Sequence, residues 1–230
     1  MPLIDVRDVS HVYGQGAAAR TVLSEVSVRL EEQRVGVIGA NGSGKSTFAR
    51  LLNGLVVPSR GRVTVDGLDT RADGRAVRRR VGFCFTDPDA QIVMPTVSED
   101  IAFGLRRRGL SRDEVAARVR AALDVHGLAD HADHPAHLLS GGQKQMLALA
   151  SVLVTEPDIL VMDEPTTLLD LRNSEEVSRR VAALPHQVVL VTHHLDQLVG
   201  FDRVLVFDGG ELVGDDEPGP AVSFYRALMS

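Results

Sequence analysis

Residues 39–47 carry the clearest chemical pattern in the sequence. Their spacing, Gly-x-x-x-x-Gly-Lys-Ser, is that of a phosphate-binding loop, whose backbone N–H groups surround a phosphate. The apolar residues 35–38 before the loop predict a buried strand, and residues 48–52 after it predict the start of a helix, which is the context that this loop requires. A glycine-rich turn that matches by chance is the alternative. We therefore expect Lys45 to reach nucleotide phosphates and the Ser46 hydroxyl to bind Mg²⁺.

The residues of this loop that we expect to contact a nucleotide are Gly39, Asn41, Gly42, Ser43, Gly44, Lys45, Ser46 and Thr47. Of the 25 basic residues in the chain, only Lys45 and Lys144 are lysines. Lys45 stands where the loop requires a compact ammonium group on a flexible stem, which arginine does not supply. Lys144 is interpreted as a solvated helix residue.

A second candidate anion site is formed by Ser140, Gly141, Gly142 and Gln143. Ser140 is a typical helix N-cap residue, and the glycines leave backbone N–H groups uncovered before the apolar residues 146–154. An ordinary helix cap is the alternative. Downstream, the apolar residues 159–162 predict a parallel strand that ends at Asp163 and Glu164. Open α/β sheets bind their ligands at this edge.

Together these motifs resemble the nucleotide-binding subunit of an ABC transporter, over nearly the whole chain. The resemblance matches residues 39–46 to the Walker A loop, residues 140–143 to the signature motif and residues 159–164 to Walker B. It also matches Asp170 to the D-loop, His193 to the switch histidine and Tyr13 to the aromatic residue that stacks on adenine. The fold implied is an α/β P-loop ATPase domain with an antiparallel β layer and a helical insertion subdomain.

The resemblance also implies roles for these residues and a second subunit. Asp163 would hold Mg²⁺ through water, Glu164 would polarise the attacking water and His193 would contact the γ-phosphate of ATP. The two anion sites are expected to be too far apart in one fold to share a nucleotide, and the family pairs each Walker A loop with the signature motif of a partner. The expected partner is a second ATPase subunit, either a copy of this chain or a paralogue.

Thr86 departs from the family pattern, because the family has a glutamine at this position. That glutamine reaches Mg²⁺ and the attacking water, whereas threonine is shorter and stiff at χ1. We therefore expect Thr86 to reach the metal only through a bridging water, and basal hydrolysis to be slow. Gln91 lies nearby in sequence, but the loop would have to refold to bring it to the metal.

A finer resemblance is to energy-coupling-factor (ECF) transporters, which import vitamins and transition-metal ions. It rests on residues 52–55, 87–92 and 99–105, while residues 166–173 and the short chain are most similar to the ATPase of biotin transporters. The resemblance implies a transmembrane coupling protein and a small substrate-binding membrane protein as partners. The coupling helices of this family carry arginine, which favours docking onto carboxylates. The carboxylates expected to dock the membrane component are those of Asp87, Asp89, Glu99 and Asp100, with ordinary solvated acids as the alternative.

Composition narrows the remaining possibilities, which are a soluble non-transport ABC ATPase and a weakly hydrolysing regulatory subunit. A net charge of −6 and the absence of Trp argue against a nucleic-acid partner. The sequence has no signal-peptide pattern and no apolar run of the ~20 residues that a membrane span needs. We therefore expect the chain at the cytoplasmic face of the membrane, attached through its partners. The single cysteine, Cys84, excludes an internal disulfide and predicts a small core residue.

The elements that must position these motifs can be predicted from patterning. We expect one ABC ATPase domain, residues 1–230, with a helical insertion at about 98–139. Strands are predicted at residues 3–12, 22–30, 63–65, 188–192, 203–207 and 211–213, and a terminal helix at 220–229. Ser111 and Glu114 form a capping box before a helix that runs to about Val125.

Three histidines, His131, His134 and His137, are spaced three residues apart. Their spacing could indicate a metal site, but Pro135 breaks any helical face that they would share. We interpret this segment as a polar connector that leads into the helix after Ser140.

Overall fold

The computed structural model describes residues 1–106 and 108–230, Ala17 without its side chain. Arg107, within the predicted helical insertion, lies outside the described residues. The chain divides into two compact units, each of which is described by itself. The sheet unit comprises Met1–Val81, Asp158–Glu164 and Pro185–Ser230, and the helical unit comprises Gly82–Pro157 and Pro165–Leu184. The predicted insertion at about 98–139 falls inside the helical unit.

The described residues form strands and helices whose bounds follow the chain. The strands are β1 (Ile4–Tyr13), β2 (Arg20–Leu30), β3 (Arg34–Gly39), β4 (Arg60–Val65), β5 (Leu68–Asp69), β6 (Val81–Cys84), β7 (Ile159–Asp163), β8 (Gln187–Val191), β9 (Arg203–Asp208) and β10 (Glu211–Asp216). The α-helices are α1 (Lys45–Leu52), α2 (Gly74–Arg80), α3 (Val97–Gly104), α4 (Arg112–Val125), α5 (Gly141–Leu153), α6 (Leu171–Ala182) and α7 (Pro218–Leu228).

The sheet unit contains two sheets. One is antiparallel, with the strand order β2-β1-β4-β5, and in the other β10, β9, β3, β8 and β7 lie side by side in that order. Strand β3 is parallel to both β8 and β9, and β7 is parallel to β8. The backbone N–H of Ser24 in β2 donates to the carbonyl of Gly210, which links the two sheets. The predicted α/β class with an antiparallel layer is therefore confirmed.

The central strands are parallel because both of their faces are covered. Every residue of β3, β7 and β8 is buried, as expected for continuous apolar runs in a parallel sheet. Helix α1 packs against β7 and β8, and α7 packs against β9 and β10. The C-terminal ends of β3, β7 and β8 therefore share one edge of the sheet, and the predicted functional residues follow them there.

The helical unit is built from α3, α4, α5 and α6. Helix α3 packs against α4 and α5, and α5 packs against α6. Three of these helices begin with capping boxes, whose N-cap residues are Thr96, Ser111 and Ser140. An isolated β-bridge joins Thr96 to Pro135. The connector before α5 consists of short 3-10 helices at Ala129–His131 and Ala136–Leu138.

Several boundaries differ from those that the sequence predicts. Helix α1 begins at Lys45 rather than at residue 48, and α5 begins at Gly141 rather than at residue 146, because both start with polar loop residues that apolar periodicity does not mark. Within the described residues, no helix combines the length and the apolar character that crossing a bilayer requires.

Candidate functional site

The loop at residues 39–47 joins β3 to α1 in a conformation that its glycines allow. Gly39 has a φ of 152° and Gly44 a φ of 99°, in the region that favours glycine. A Cβ at Gly39 would lie 2.1 Å from the carbonyl oxygen of Phe207, and one at Gly44 would lie 2.6 Å from Cδ2 of Leu23. Both positions therefore exclude a side chain through backbone conformation and through space.

Lys45 lies inside this loop and is 5% exposed. Its Nζ donates hydrogen bonds to the carbonyl oxygens of Gly39 and Ala40, at 2.8 Å each. Burial lowers the pKa of Lys45, and the charges of Glu164 and Asp163 oppose that shift. The ammonium group is thus held at the loop's own carbonyls, and a bound phosphate would compete with them for it.

Asp163, the last residue of β7, is only 1% exposed. Its Oδ1 accepts a hydrogen bond from Oγ of Ser46 at 2.8 Å, and its Oδ2 lies 3.5 Å from Nη2 of Arg50. Burial raises the pKa of Asp163, while the Ser46 hydrogen bond and the Arg50 charge lower it. A hydroxyl oxygen and a carboxylate oxygen therefore stand side by side, a donor set that suits a hard cation such as Mg²⁺.

Glu164 and His193 form a second pair next to Asp163. Oε2 of Glu164 lies 3.1 Å from Nδ1 of His193. Buried Thr192 fixes the turn beside His193, because its Oγ1 accepts from the N–H of His194 and donates to Oε1 of Gln197. The rings of His193 and His194 lie 4.0 Å apart between centroids. The structure thus places a carboxylate and an imidazole in direct contact at the edge of the sheet.

A pocket of about 220 Å³ opens beside the loop. It is lined by Arg20 and Val22 of β2, by loop residues from Asn41 to Thr47 and by Glu164. Tyr13, at the end of β1, is 42% exposed and is the antiparallel partner of Arg20. Sequence reasoning missed Arg20 and Val22, although their place in the strand next to Tyr13 is the signal that points to them.

The helix start predicted at Ser140 is confirmed as a capping box. Oγ of Ser140 accepts from the N–H of Gln143 at 3.3 Å, and Oε1 of Gln143 accepts from the N–H of Ser140 at 2.9 Å. A Cβ at Gly142 would lie 2.3 Å from Oδ1 of Asn173 in α6, so α6 approaches this helix start closely. Asp170 is the N-cap of α6, and its Oδ1 accepts from the N–H of Asn173.

The histidine connector contacts the same helix start. Nε2 of Gln143 lies 2.8 Å from Nε2 of His131, and Nδ1 of His131 lies 3.0 Å from Nδ1 of His134. Within the described part of the chain, no group of three or more His, Cys, Asp or Glu side chains is placed to hold a metal ion. The two histidines therefore connect to α5 through the side chain of Gln143.

Thr86 is half-buried and follows β6 in the helical unit. Gln91 is held in place, because its Oε1 accepts from the N–H of Phe85 at 3.1 Å and its Nε2 donates to the carbonyl of Ala148 at 3.0 Å. Both ends of its amide are thus engaged inside this unit. Cys84 is buried, and burial raises its pKa to about 12, which confirms the predicted core thiol.

The acidic residues predicted to form a docking surface do not share one environment. Asp100 is 4% exposed, and its carboxylate accepts from the N–H groups of Val93 and Met94 and from Oγ of Ser151. The prediction is wrong for Asp100, because a carboxylate with three internal donors stabilises the fold and faces no partner.

Lys144 also differs from its prediction as a solvated helix residue. Its side chain is 17% exposed, and its Nζ donates to both carboxylate oxygens of Asp89, at 2.7 and 2.9 Å. Asp89 is therefore ion-paired, whereas Asp87 caps a short 3-10 helix by accepting from the N–H of Asp89.

The sequence-predicted residues fall into two sets. The sheet unit contains Tyr13, the loop at 39–47, Asp163, Glu164 and His193, and it brings the loop and Glu164 together around one pocket. The helical unit contains Thr86, Asp170 and the residues from Ser140 to Gln143.

Comparison with known proteins identifies the family. The family model described as "ABC transporter" matches residues 23–167. The biotin transport ATP-binding protein BioM of Rhizobium etli is 49% identical over 94% of this chain and 96% of its own length. The energy-coupling factor transporter ATP-binding protein EcfA1 of Symbiobacterium thermophilum is 44% identical over 92% of this chain and 78% of its own length.

A solved structure agrees with both the sequence relatives and the fold. The ATP-binding cassette MJ0796, determined as a dimer in a post-hydrolysis state with ADP and Pi, superposes with a TM-score of 0.82, at 26% identity over 94% of this chain and 98% of its own. The loop, the pocket and the buried Asp163 beside Ser46 are the features on which ATP binding depends in such a domain. The chain therefore belongs to the ATP-binding subunits of ABC transporters, in their energy-coupling-factor group, and is an ATPase.

Proposed function

We propose that the pocket of the sheet unit binds ATP with Mg²⁺ and that the residues around it position the triphosphate for attack by water. The observation that carries this proposal is the contact of Ser46 with Asp163 at 2.8 Å, next to the pair of Glu164 and His193. Ser46 would bind Mg²⁺ directly and Asp163 would hold it through water. When bound, the ion would neutralise charge on the phosphates.

The residues around the pocket would divide the remaining tasks. Lys45 would leave the loop carbonyls to contact the phosphates, and Tyr13 would stack on adenine. Glu164 would accept a hydrogen bond from the attacking water, and His193, which now contacts Glu164, would bind the γ-phosphate. These groups act mainly by position and charge, as in phosphoryl transfer generally.

We infer further that a second ATPase subunit completes the site. The helix start at Ser140 offers uncovered backbone N–H groups and a positive helix end, which attract an anion. It belongs to the helical unit, and the relative MJ0796 is a dimer in its ADP-bound structure. The helix start at Ser140 of one protomer would therefore face the γ-phosphate held by the loop of the other.

The assembly proposed is an importer in which ATP binding and hydrolysis drive a transmembrane coupling protein and a small substrate-binding membrane protein. The solute favoured is biotin, because the similarity to BioM extends over nearly the full length of both chains. A transition-metal ion is the alternative solute. The chain would lie at the cytoplasmic face of the membrane and be held there by these partners.

Uptake in a defined complex tests this function. The chain is produced with the membrane proteins encoded beside its gene, the complex is placed in vesicles, and uptake of labelled biotin and of labelled Co²⁺ is measured with ATP. We expect ATP-dependent biotin uptake that is lost in Lys45→Ala. Uptake of Co²⁺ alone would replace biotin as the solute, and a chain that never co-purifies with membranes would overturn the transport function.

A further inference from the structure

Arg20 is an arginine at the phosphate pocket that none of the sequence motifs includes. It is the first residue of β2, and its antiparallel partner in β1 is Tyr13. Residues directly opposite each other in an antiparallel pair project their side chains from the same face, with Cβ atoms about 5 Å apart. The Arg20 side chain therefore lies on the same face of this sheet as the exposed ring of Tyr13.

Strand β2 is fixed on the phosphate-binding loop, so the position of Arg20 is defined by packing. A Cβ added at Gly44 would lie 2.6 Å from Cδ2 of Leu23 and 2.7 Å from the carbonyl oxygen of Val22. Leu23 is fully buried, and the N–H of Ser24 donates to the carbonyl of Gly210 at 2.9 Å. Side chains alternate along a strand, which places Arg20 on the same side as Val22, and both line the pocket.

The guanidinium of Arg20 lies over the loop itself. Its Nη2 is 4.0 Å from the position that a Cβ would take at Gly42, which is the only heavy atom of the described residues within that distance of it. No hydrogen bond or ion pair among the described residues neutralises Arg20, whereas Arg29 pairs with Glu31 and Arg203 pairs with Asp215. The pocket therefore has two cationic side chains on its wall: Lys45, held inside the loop, and Arg20, at the opposite wall.

We propose that Arg20 binds the phosphate chain of the nucleotide from the side opposite Lys45, as a second cationic contact that recognises nucleoside di- and triphosphates. This proposal rests on the nucleotide pocket proposed above. A guanidinium offers a planar set of N–H donors that matches phosphate oxygens in pairs, and it stays charged at any physiological pH. Because Arg20 is exposed, it can close over the phosphates after the nucleotide has entered.

Equilibrium binding of ATP, ADP and AMP to purified variants tests the contact. Arg20→Ala is expected to weaken ATP and ADP binding about five- to tenfold, the range for a charge-assisted contact at a partly solvated site, and AMP binding less than twofold. Arg20→Lys keeps the charge without the planar donors, so its affinity for ATP should lie between that of Arg20→Ala and that of the unchanged protein. Thermal melting of the ligand-free variants should be unchanged, since Arg20 has no partner to lose.

Arg29→Ala is the matched control, because Arg29 lies in the same strand and pairs only with exposed Glu31. It should bind all three nucleotides within twofold of the unchanged protein. Equal ATP affinity in Arg20→Ala and Arg29→Ala would overturn the proposal, and equal loss of AMP and ATP affinity would show a contact with the base or ribose instead. Lys45→Ala tests the pocket separately: normal ATP binding in that variant would refute the pocket whatever Arg20 does.

Discussion

At the scale of single residues, Glu164 combines backbone strain with an anchored position. Its φ is 50°, a left-handed conformation that is costly for a residue with a side chain. Its N–H donates to the carbonyl of Val191 at 2.9 Å, which fixes it to the strand next to β7. This anchor turns the carboxylate towards His193 directly after the buried Asp163, where it can orient a water molecule.

Glu164→Gln is therefore expected to bind ATP normally and to lose turnover. The amide keeps the size of the side chain but no longer accepts a proton or orients water in the same way, and loss of one such group costs about 10²–10³ in rate. Steady-state phosphate release measures the effect, with Glu211→Gln on exposed β10 as the control. Near-normal turnover in Glu164→Gln would contradict the role of Glu164.

Thr86 is the residue that sets this chain apart within its family. Gln91 does not replace the missing glutamine, since its amide bonds the backbone of Phe85 and Ala148. We expect Thr86→Gln to raise steady-state ATPase activity several-fold and to leave ATP affinity unchanged, because the longer amide reaches the metal and the water. Thr86→Ser, which keeps a short hydroxyl, is the control and should match the unchanged protein. A flat or lower rate in Thr86→Gln would make Thr86 a tuned feature of this subunit.

At the scale of elements, the start of α5 depends on its packing against α6. Gly142 leaves the space that the side chain of Asn173 occupies, whereas the nearest atom to a Cβ at Gly141 is Cδ2 of Leu169, at 3.9 Å. The two neighbouring glycines therefore meet different constraints, although both precede the apolar part of the helix. Gly142 keeps the end of α6 close to the helix start that we propose as an anion site.

Gly142→Ala is expected to destabilise the fold by about 1–3 kcal/mol, the usual cost of overpacking, because the new Cβ would displace Asn173. Gly141→Ala should be neutral or slightly stabilising, since alanine is the better helix former. Thermal or urea unfolding of both variants measures the difference. Adding Asn173→Ala to Gly142→Ala should recover part of the loss, and equal stability of the two glycine variants would argue against this packing.

Sequence patterns predict the elements whose information is local. The capping boxes at Ser111 and Ser140 depend on residues three apart, and the parallel strands depend on continuous apolar runs, so both are confirmed. Burial of Asp100 could not be predicted, because its donors include Ser151, 51 residues away, and an acid in a first helical turn normally faces water. Arg20 was missed for the same reason, since its place depends on the pairing of β1 with β2 and on the packing of Leu23 against Gly44.

At the scale of the whole molecule, the remaining exposed acids suggest how the chain joins its membrane partner. Asp87 is exposed, and Asp89 pairs with Lys144 at 2.7 Å while its own side chain stays 61% exposed. Glu99 is engaged in the cap of α3, where its Oε2 accepts from Thr96. The docking surface predicted from the sequence is thus reduced chiefly to Asp87 and Asp89.

Charge reversal at both positions, Asp87→Lys with Asp89→Lys, should weaken assembly with the membrane component several-fold and spare ATP binding. Recovery of the complex by affinity capture at physiological salt measures assembly. Lys144→Ala controls for loss of the ion pair alone, and Glu211→Lys with Glu217→Lys controls for the change in net charge. Intact assembly in the double reversal, or equal loss in either control, would refute the docking role.

The shared nucleotide site is tested most directly by ATP-driven association of the chain. Glu164→Gln is used as the background, because it should hold ATP without hydrolysing it, and mass in solution is measured with ATP, with ADP and without nucleotide. We predict dimers with ATP only. Adding Ser140→Arg, which blocks the start of α5, should leave one bound ATP per protomer and abolish the dimer. ATP-dependent dimers that persist in the Ser140→Arg variant would contradict a site completed by the helix start of a partner.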